Sequence, residues 1–443
     1  MLTPVWQKYD WTKTAHADPS VSNQILLIGD RETLRHEIRE YYPNAHVVVI
    51  STKHTVDDVA RELEALGTIE HILWIAPDFN SLAVSDERFI VGQEEGAIPI
   101  FRLMKSLLRL GYGNARLDWT MATIQATAVH KHETIDPTHA SIYGLAQLMR
   151  QQFPHWNIRL LDLEADAQPS LAELVMSPVG SAQGVPSVYR NGEWYFQELI
   201  PVTNRRTKPT LIKQRGVYVV IGAAGDAAEI WSEYMIRTYE ARLIWIGVND
   251  STMQGGLNHL ATRGYRIEFI PADTENAAEL SRAVQEIKLR YSHIDGAVIM
   301  DKLRSGAALA QEEVGRFRSQ LLANIAVNTA IAQLIGREPL DFVLYLRTAG
   351  SSVEQLEDSS AAASDTFKRA FAHRLALQWP CAIKVMNWGS EKLPPQEAQQ
   401  QTVDNLQALE VLLTHSIHQM TIMGPSGSLN KANINLQQTI VMV

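Results

Sequence analysis

The stretch Gly216 to Ala228 reads Gly-Val-Tyr-Val-Val-Ile-Gly-Ala-Ala-Gly-Asp-Ala-Ala, an apolar run that ends in glycines and opens a helical pattern from Glu229. A strand, turn and helix of this kind gather backbone N–H groups at the positive end of a helix, where a dinucleotide pyrophosphate can be held. Glycine is wanted at the bend, at the close approach to phosphate, and where helix meets strand. Gly222 and Gly225 are present, and Ala228 takes the third place. Ala223 puts a methyl where the backbone should stay bare, and Asp226 puts a carboxylate where the anion would sit. Two like charges ~4 Å apart repel by roughly 4 kcal/mol at an effective dielectric near 20. Asp226 also occupies the favourable field of the helix N-terminus that a phosphate would use. The expectation is a dinucleotide-type scaffold that no longer binds nucleotide, with retained but weakened binding as the alternative.

Other reactive side chains carry less. His130, His132, Glu133 and His139 do not share one helical face, and no second cluster completes a metal shell, so surface or capping roles are expected for them. The single cysteine, Cys381, lies beside a strand-like run and reads as a buried, inert thiol; alone it excludes an internal disulfide and a cysteine-based zinc site. The formal charge of −9 argues against a nucleic-acid surface and against anionic membranes. No signal core or long apolar run is seen, so a cytoplasmic location is expected.

These residues need a scaffold, and 443 residues at 46% hydrophobic and 20% charged content suit two or three globular domains. Residues 1–210 alternate strand and helix: strands at Ile25–Gly29, Val47–Ser51, His71–Ala76 and Thr120–Gln125, with helices at Glu32–Tyr41, Val56–Leu66 and Ala97–Leu108 between them. Asn191-Gly192 suits the positive φ of a hairpin turn. A polar linker over Thr203 to Gln214 leads to residues 211–443, where the alternation resumes. Its strands are expected at 217–221, 243–247, 266–270, 296–300, 340–345 and 383–388. The fold class is therefore α/β, two Rossmann-like doubly wound parallel sheets, the second half duplicating the first.

Certain segments are more specific. They are Pro137 to Leu145, Trp156 to Leu163 and Tyr189 to Gly192 in the first half. In the second they are Ala272-Asp273, Leu340 to Leu344, Ala361 to Ala363, and Asn387-Trp388-Gly389. In this order and spacing, over nearly the whole chain, they resemble the ketoreductase domains of modular polyketide synthases, of the short-chain dehydrogenase type. The resemblance implies a structural subdomain over 1–210 and a catalytic-type subdomain over 211–443.

The same resemblance implies a site, position by position. The arginine that would pair the 2′-phosphate of NADPH is Val248, which cannot make that fork. Asp250 next to it could hold a ribose hydroxyl but reads better as a helix N-cap. The segment along the cofactor is Ile299-Met300-Asp301-Lys302, without its usual histidine and glycine. The serine that would hold the carbonyl oxygen is Arg347, the tyrosine that would donate the proton is Ser360, and the lysine that would lower the tyrosine's pKa is Ile325. Gly222, Gly225 and Asp273 remain as vestiges of a cofactor site that Ala223, Asp226 and Val248 oppose. The segment after Trp388 is short for a substrate lid.

The reading that follows is a non-catalytic pseudo-ketoreductase, a structural and docking domain of a polyketide synthase module, without a cofactor where its ancestor used NADPH. Its partners would be neighbouring synthase domains and the acyl carrier protein. The alternatives are an NADPH-dependent β-ketoacyl ketoreductase, a shifted chemistry using Arg347, Lys302 or Asp301, or a module that holds an acyl chain or nucleotide without reacting.

Overall fold

The computed structural model describes residues 1–9, 25–28, 45–77, 79–80, 83–165, 185–204, 210–223, 225–300, 309–336, 338–350, 358–390, 395–415, 418–421 and 440–442. Its first part contains strands β1 (Leu2–Tyr9), β2 (Ile25–Ile28), β3 (His46–Val48), β4 (His71–Ile75), β5 (Leu117–Ile124), β6 (Trp156–Leu163), β7 (Ser187–Arg190) and β8 (Glu193–Asn204). Helices α1 (Val56–Ala65), α2 (Ala97–Arg109) and α3 (Ser141–Gln152) lie among them. The second part contains β9 (Val217–Ile221), α4 (Gly225–Tyr239), β10 (Arg242–Gly247), α5 (Ser251–Thr262), β11 (Glu268–Pro271), α6 (Ala277–Arg290) and β12 (Gly296–Met300). It continues with α7 (Val314–Ile335), β13 (Phe342–Gly350), α8 (Ser359–Gln378), β14 (Ala382–Ser390), α9 (Pro395–Thr414), β15 (Gln419–Thr421) and β16 (Ile440–Met442). The expected helix at Glu32–Tyr41 lies outside the described residues.

The strands of the second part that sequence reading expected are present, and they alternate as a doubly covered parallel sheet must. Val217, Val219 and Ile221 enter one apolar cluster while Tyr218 and Val220 enter the other, on the opposite face. The two parallel arrays, however, form one sheet, in the order 11-10-9-12-13-14-15-1-8-7-6-5-4-2-3, with β16 beside β8. The connector is β1, antiparallel to β8 from Leu2↔Pro201 to Tyr9↔Trp194 and antiparallel to β15 at Leu2↔Thr421. The expected polar linker begins later than Thr203, because β8 runs on to Asn204. At the β7–β8 turn Asn191 and Gly192 take φ of 53° and 77°, as the hairpin reading requires.

Helices reinforce the join. One apolar cluster runs from Ile25 through the first part to Phe317, Ile325 and Phe371 of the second, so both parts share a core. Phe101 on α2 stacks on Phe317 of α7 at 4.2 Å, and Phe89 meets Phe371 of α8 edge-on at 5.6 Å. The tightest contact is α3 on α8. A Cβ on Gly144 would fall 2.0 Å from the Ala362 carbonyl oxygen, and the Gly144 N–H donates to Thr366 Oγ1 at 3.2 Å.

That contact is backbone against backbone, so a methyl at Gly144 cannot be absorbed by a rotamer change. Gly144→Ala is expected to cost about 2–3 kcal/mol even after the helix-propensity gain of alanine. Gly255→Ala, on α5 with open space around it, should be neutral or slightly stabilising. Urea unfolding of both variants checks this; equal effects would contradict the close approach.

Candidate functional site

The C-terminal ends of the parallel strands are where a fold of this class places its ligands. Gly222 closes β9 with φ 77° and its N–H donates to Ile246 O at 2.9 Å. A Cβ there would lie 2.4 Å from the Met300 carbonyl oxygen, so only glycine lets the turn pass between β10 and β12. Gly225 takes φ 71° in open space and begins α4. The glycine-dependent bends of the turn are therefore kept. Asp226 is exposed in the first turn of α4, at the helix's positive end, as the sequence implies. Ala223 differs from expectation: it is 1% exposed, with its methyl packed in the second apolar cluster, so it does not stand in the path of an incoming phosphate.

Val248 follows β10 and is 45% exposed, offering an apolar surface where a phosphate ligand would need donors. Asp250 is the N-cap of α5: its carboxylate accepts the Met253 N–H at 2.9 Å, in line with the capping reading. Asp273 is exposed and organises the turn before α6, its Oδ1 accepting the Glu275 N–H at 3.0 Å. Asp301 and Lys302 lie outside the described residues, and of the segment expected to be a shortened lid, Gly389 to Pro395, positions 391–394 do as well.

The three positions implied for the reaction are each occupied by something engaged elsewhere. Arg347, near the end of β13, holds Asp365 of α8 at 3.1 Å, and Arg369 approaches the same carboxylate at 3.4 Å. Burial alone would raise the Asp365 carboxyl, but Arg347, Arg369 and Lys368 more than offset it and hold it below the usual carboxylate range. Ser360 is 1% exposed at the start of α8 and donates to Asp358 Oδ1 at 2.8 Å; Asp358 also caps the helix by accepting the Ala361 N–H at 3.0 Å. Ile325 is fully buried in α7. A bound arginine, a buried serine and a core isoleucine do not make a proton relay.

The segments that carry the family resemblance turn out to meet one another in the core. Asp162 is fully buried and accepts from Arg190 Nη2 at 2.6 Å, Thr123 Oγ1 at 2.5 Å, Tyr143 OH at 3.2 Å and the N–H of Ala126 at 2.8 Å. Burial, reinforced by Asp162, pushes the Tyr143 phenol well above its ordinary value, which makes it an anchor and a poor acid. Sequence reasoning named these segments without seeing that their polar residues form one network; a tyrosine, an aspartate and an arginine in otherwise apolar surroundings were the available signal. Ala362 and Ala363 bury against α3, Trp388 is 2% exposed, and Asn387 Nδ2 donates to Thr421 Oγ1 at 3.0 Å.

The histidine group needs a correction. His130 and His132 are exposed, and Glu133 accepts the Val129 N–H at 2.8 Å while pairing Arg190. His139 is not at the surface: it is buried edge-on to Trp74 at 5.9 Å, and burial pushes its pKa down to about 4, so it is neutral at pH 7. Among the described residues no three histidine, cysteine or acidic side chains converge on a metal position. Cys381 is half-buried rather than buried, with burial raising its thiol to about 11, well away from reactive thiolates. No helix among the described residues is long and apolar enough to cross a membrane.

Comparisons with known proteins converge. Residues 216–392 match the family model described as KR domain. The chain is 37% identical over 391 residues, 88% of its length, to polyketide synthase PksM of Bacillus subtilis, and 31% identical over 99% of its length to PksN of the same organism. It spans less than a tenth of these curated relatives, 9% and 8% respectively. A C2-type ketoreductase from a modular polyketide synthase superposes with a TM-score of 0.75 at 16% identity, over 99% of this chain and 98% of the other. An N-terminal ketoreductase from the macrolactin assembly line gives 0.74 at 15% identity, over 98% and 93%.

The Arg347–Asp365–Arg369 cluster sets a pH signature. A carboxyl held low in the folded state stabilises it above the unfolded pKa near 3.8, and that contribution is lost as pH falls through the lower folded value. Asp365→Asn, which leaves two guanidiniums facing each other, should therefore unfold at lower urea than the parent at pH 7. The gap should begin to narrow below about pH 4, where the carboxyl of the unfolded parent takes up a proton, and close as pH falls through the lower folded value. A gap independent of pH would contradict the pairing.

Proposed function

The chain belongs to the ketoreductase (KR) domains of the modular polyketide synthase type, and we propose that it is one that keeps the fold without the reaction. The observation that carries this reading is the state of the three reaction positions: Arg347 paired to Asp365, Ser360 buried against Asp358, Ile325 sealed in the core. Ketone reduction needs a proton delivered to the carbonyl oxygen as hydride arrives, from a donor whose pKa a neighbouring cation has lowered. A guanidinium cannot give up that proton at neutral pH, and a serine hydroxyl that donates to Asp358 is too weak an acid.

The nucleotide side supports the same reading. The residues present do not fit NADPH: Asp226 stands exposed in the first turn of α4, where an anion would sit, and Val248 supplies no donor, so no step is derived through that cofactor. In this proposal residues 1–210 are a structural subdomain and 211–443 the catalytic-type one. The domain acts in the cytoplasm as a structural and docking part of a synthase module, its partners being adjoining domains and the acyl carrier protein. The lengths of the relatives, more than ten times the span matched, support such a setting. A second reading, a module that holds nucleotide without reacting, draws on Gly222 and Gly225, whose left-handed backbone keeps the shape of a phosphate turn.

Calorimetric titration with NADPH separates the two: no binding heat is expected from the parent chain. Asp226→Gly combined with Val248→Arg should restore measurable binding, because it removes the repulsion and supplies a phosphate partner. It should restore no reduction of a β-ketoacyl thioester, since no proton donor returns with it. Tight NADPH binding by the parent favours the second reading; turnover by the repaired variant would overturn the proposal.

A further inference from the structure

A cavity of about 620 Å³ lies at the seam of the two parts, far larger than a packing defect and within the range of small-molecule sites. Its walls come from both sides: β1 and the loop after β5 from the first part, α8, β14 and β15 from the second. None of Gly222, Ala223, Gly225, Asp226, Val248, Ile325, Arg347 or Ser360 lines it, so it is separate from the reaction cleft.

The lining has an unusual charge balance for a chain of net charge −9. Among the described residues it includes the cations Lys131 and Arg369 and the imidazoles of His130, His132, His373 and His418, burial lowering the pKa of the last two, but no aspartate or glutamate. Of the neighbouring acids, Glu133 pairs Arg190 and Asp162 serves the buried network, while Asp365 lies between Arg347 and Arg369 and so offsets part of the Arg369 charge. Arg369 Nε is buried and makes no hydrogen bond, its contact to Asp365 being a long 3.4 Å. His373 is fixed by its Nε2 to the Glu133 carbonyl at 3.0 Å, which aligns one imidazole of the wall. The remaining surface is largely apolar, with Trp6, Ile135, Val185, Ile383 and Val385 among its walls.

Two cationic side chains joined to an apolar body, with no carboxylate among the described lining residues, select one ligand chemistry. We propose that the seam cavity binds an apolar chain ending in an anionic head, a carboxylate or a phosphate, with the head held by Lys131 and Arg369. Apolar burial supplies the affinity of the chain and the charge-assisted hydrogen bonds supply selection of the head. Because both parts wall the cavity, the ligand also ties them together, and its binding raises the unfolding temperature. This inference does not rest on the reaction cleft.

The test is calorimetry and thermal unfolding of the full chain with decanoate, decyl phosphate and decanol. At least one anion should bind roughly tenfold or more tighter than decanol, the gain of one charge-assisted contact, and should raise the unfolding temperature. The preferred anion tells whether a fatty-acid type or a phosphate-ester type of head is the source. Lys131→Gln, at an exposed position, should weaken anion binding while leaving decanol unchanged, and Ala376→Trp, which fills the cavity, should abolish both. Absence of binding, equal binding of decanol and the anions, or binding indifferent to Ala376→Trp in a folded protein would overturn the proposal. Any of these would leave the NADPH result to decide the reading of the cleft.

Discussion

The structure depends on the approach of α3 to α8 at Gly144 and Ala362, where two backbones touch with no side chain between them. This contact sets how close the two parts can come, and the rest of the seam follows. The Phe101–Phe317 stack, the Phe89–Phe371 edge and the shared apolar cluster all need that spacing. The continuous sheet needs it as well, since β1 must reach β15 on one side and β8 on the other. A shared core of this kind makes the two parts one cooperative body more than two beads on a linker.

The segments that carry the family resemblance and the positions it implies for the reaction fall into two physical classes. Tyr143, Asp162, Arg190, Ala362 and Trp388 are all buried, and their roles are a polar network and a helix crossing. Removing one member of the Asp162 network leaves a charge or a donor unsatisfied in the interior, which is expensive whatever the domain's chemistry. The positions that the resemblance implies for the reaction are held by other contacts: Ile325 is buried in the core, Arg347 pairs with Asp365, and Ser360 donates to the residue that caps α8.

Much of the fold was legible because β9, β10, β12 and the first five residues of β13 are covered on both faces and so read as apolar runs. Gly222, Gly225 and Asp250 were legible because left-handed turns and helix caps depend on local residue type. What was not legible depends on distant pairing. β1 is mixed in polarity and holds Pro4, and only its partners β8 and β15 make it a strand. The burial of His139 against Trp74, the inward turn of Ala223 and the capture of Arg347 by Asp365 are likewise through-space facts. No spacing rule along the chain contains them.

The central claim is that the fold outlives the reaction, and hydride transfer measures it most directly. With the intact chain, saturating NADPH and a β-ketoacyl thioester, the account predicts that NADPH is consumed no faster than in buffer alone. Stoichiometric reduction of the thioester by the chain, abolished when Arg347 is changed to alanine in a folded variant, would contradict it.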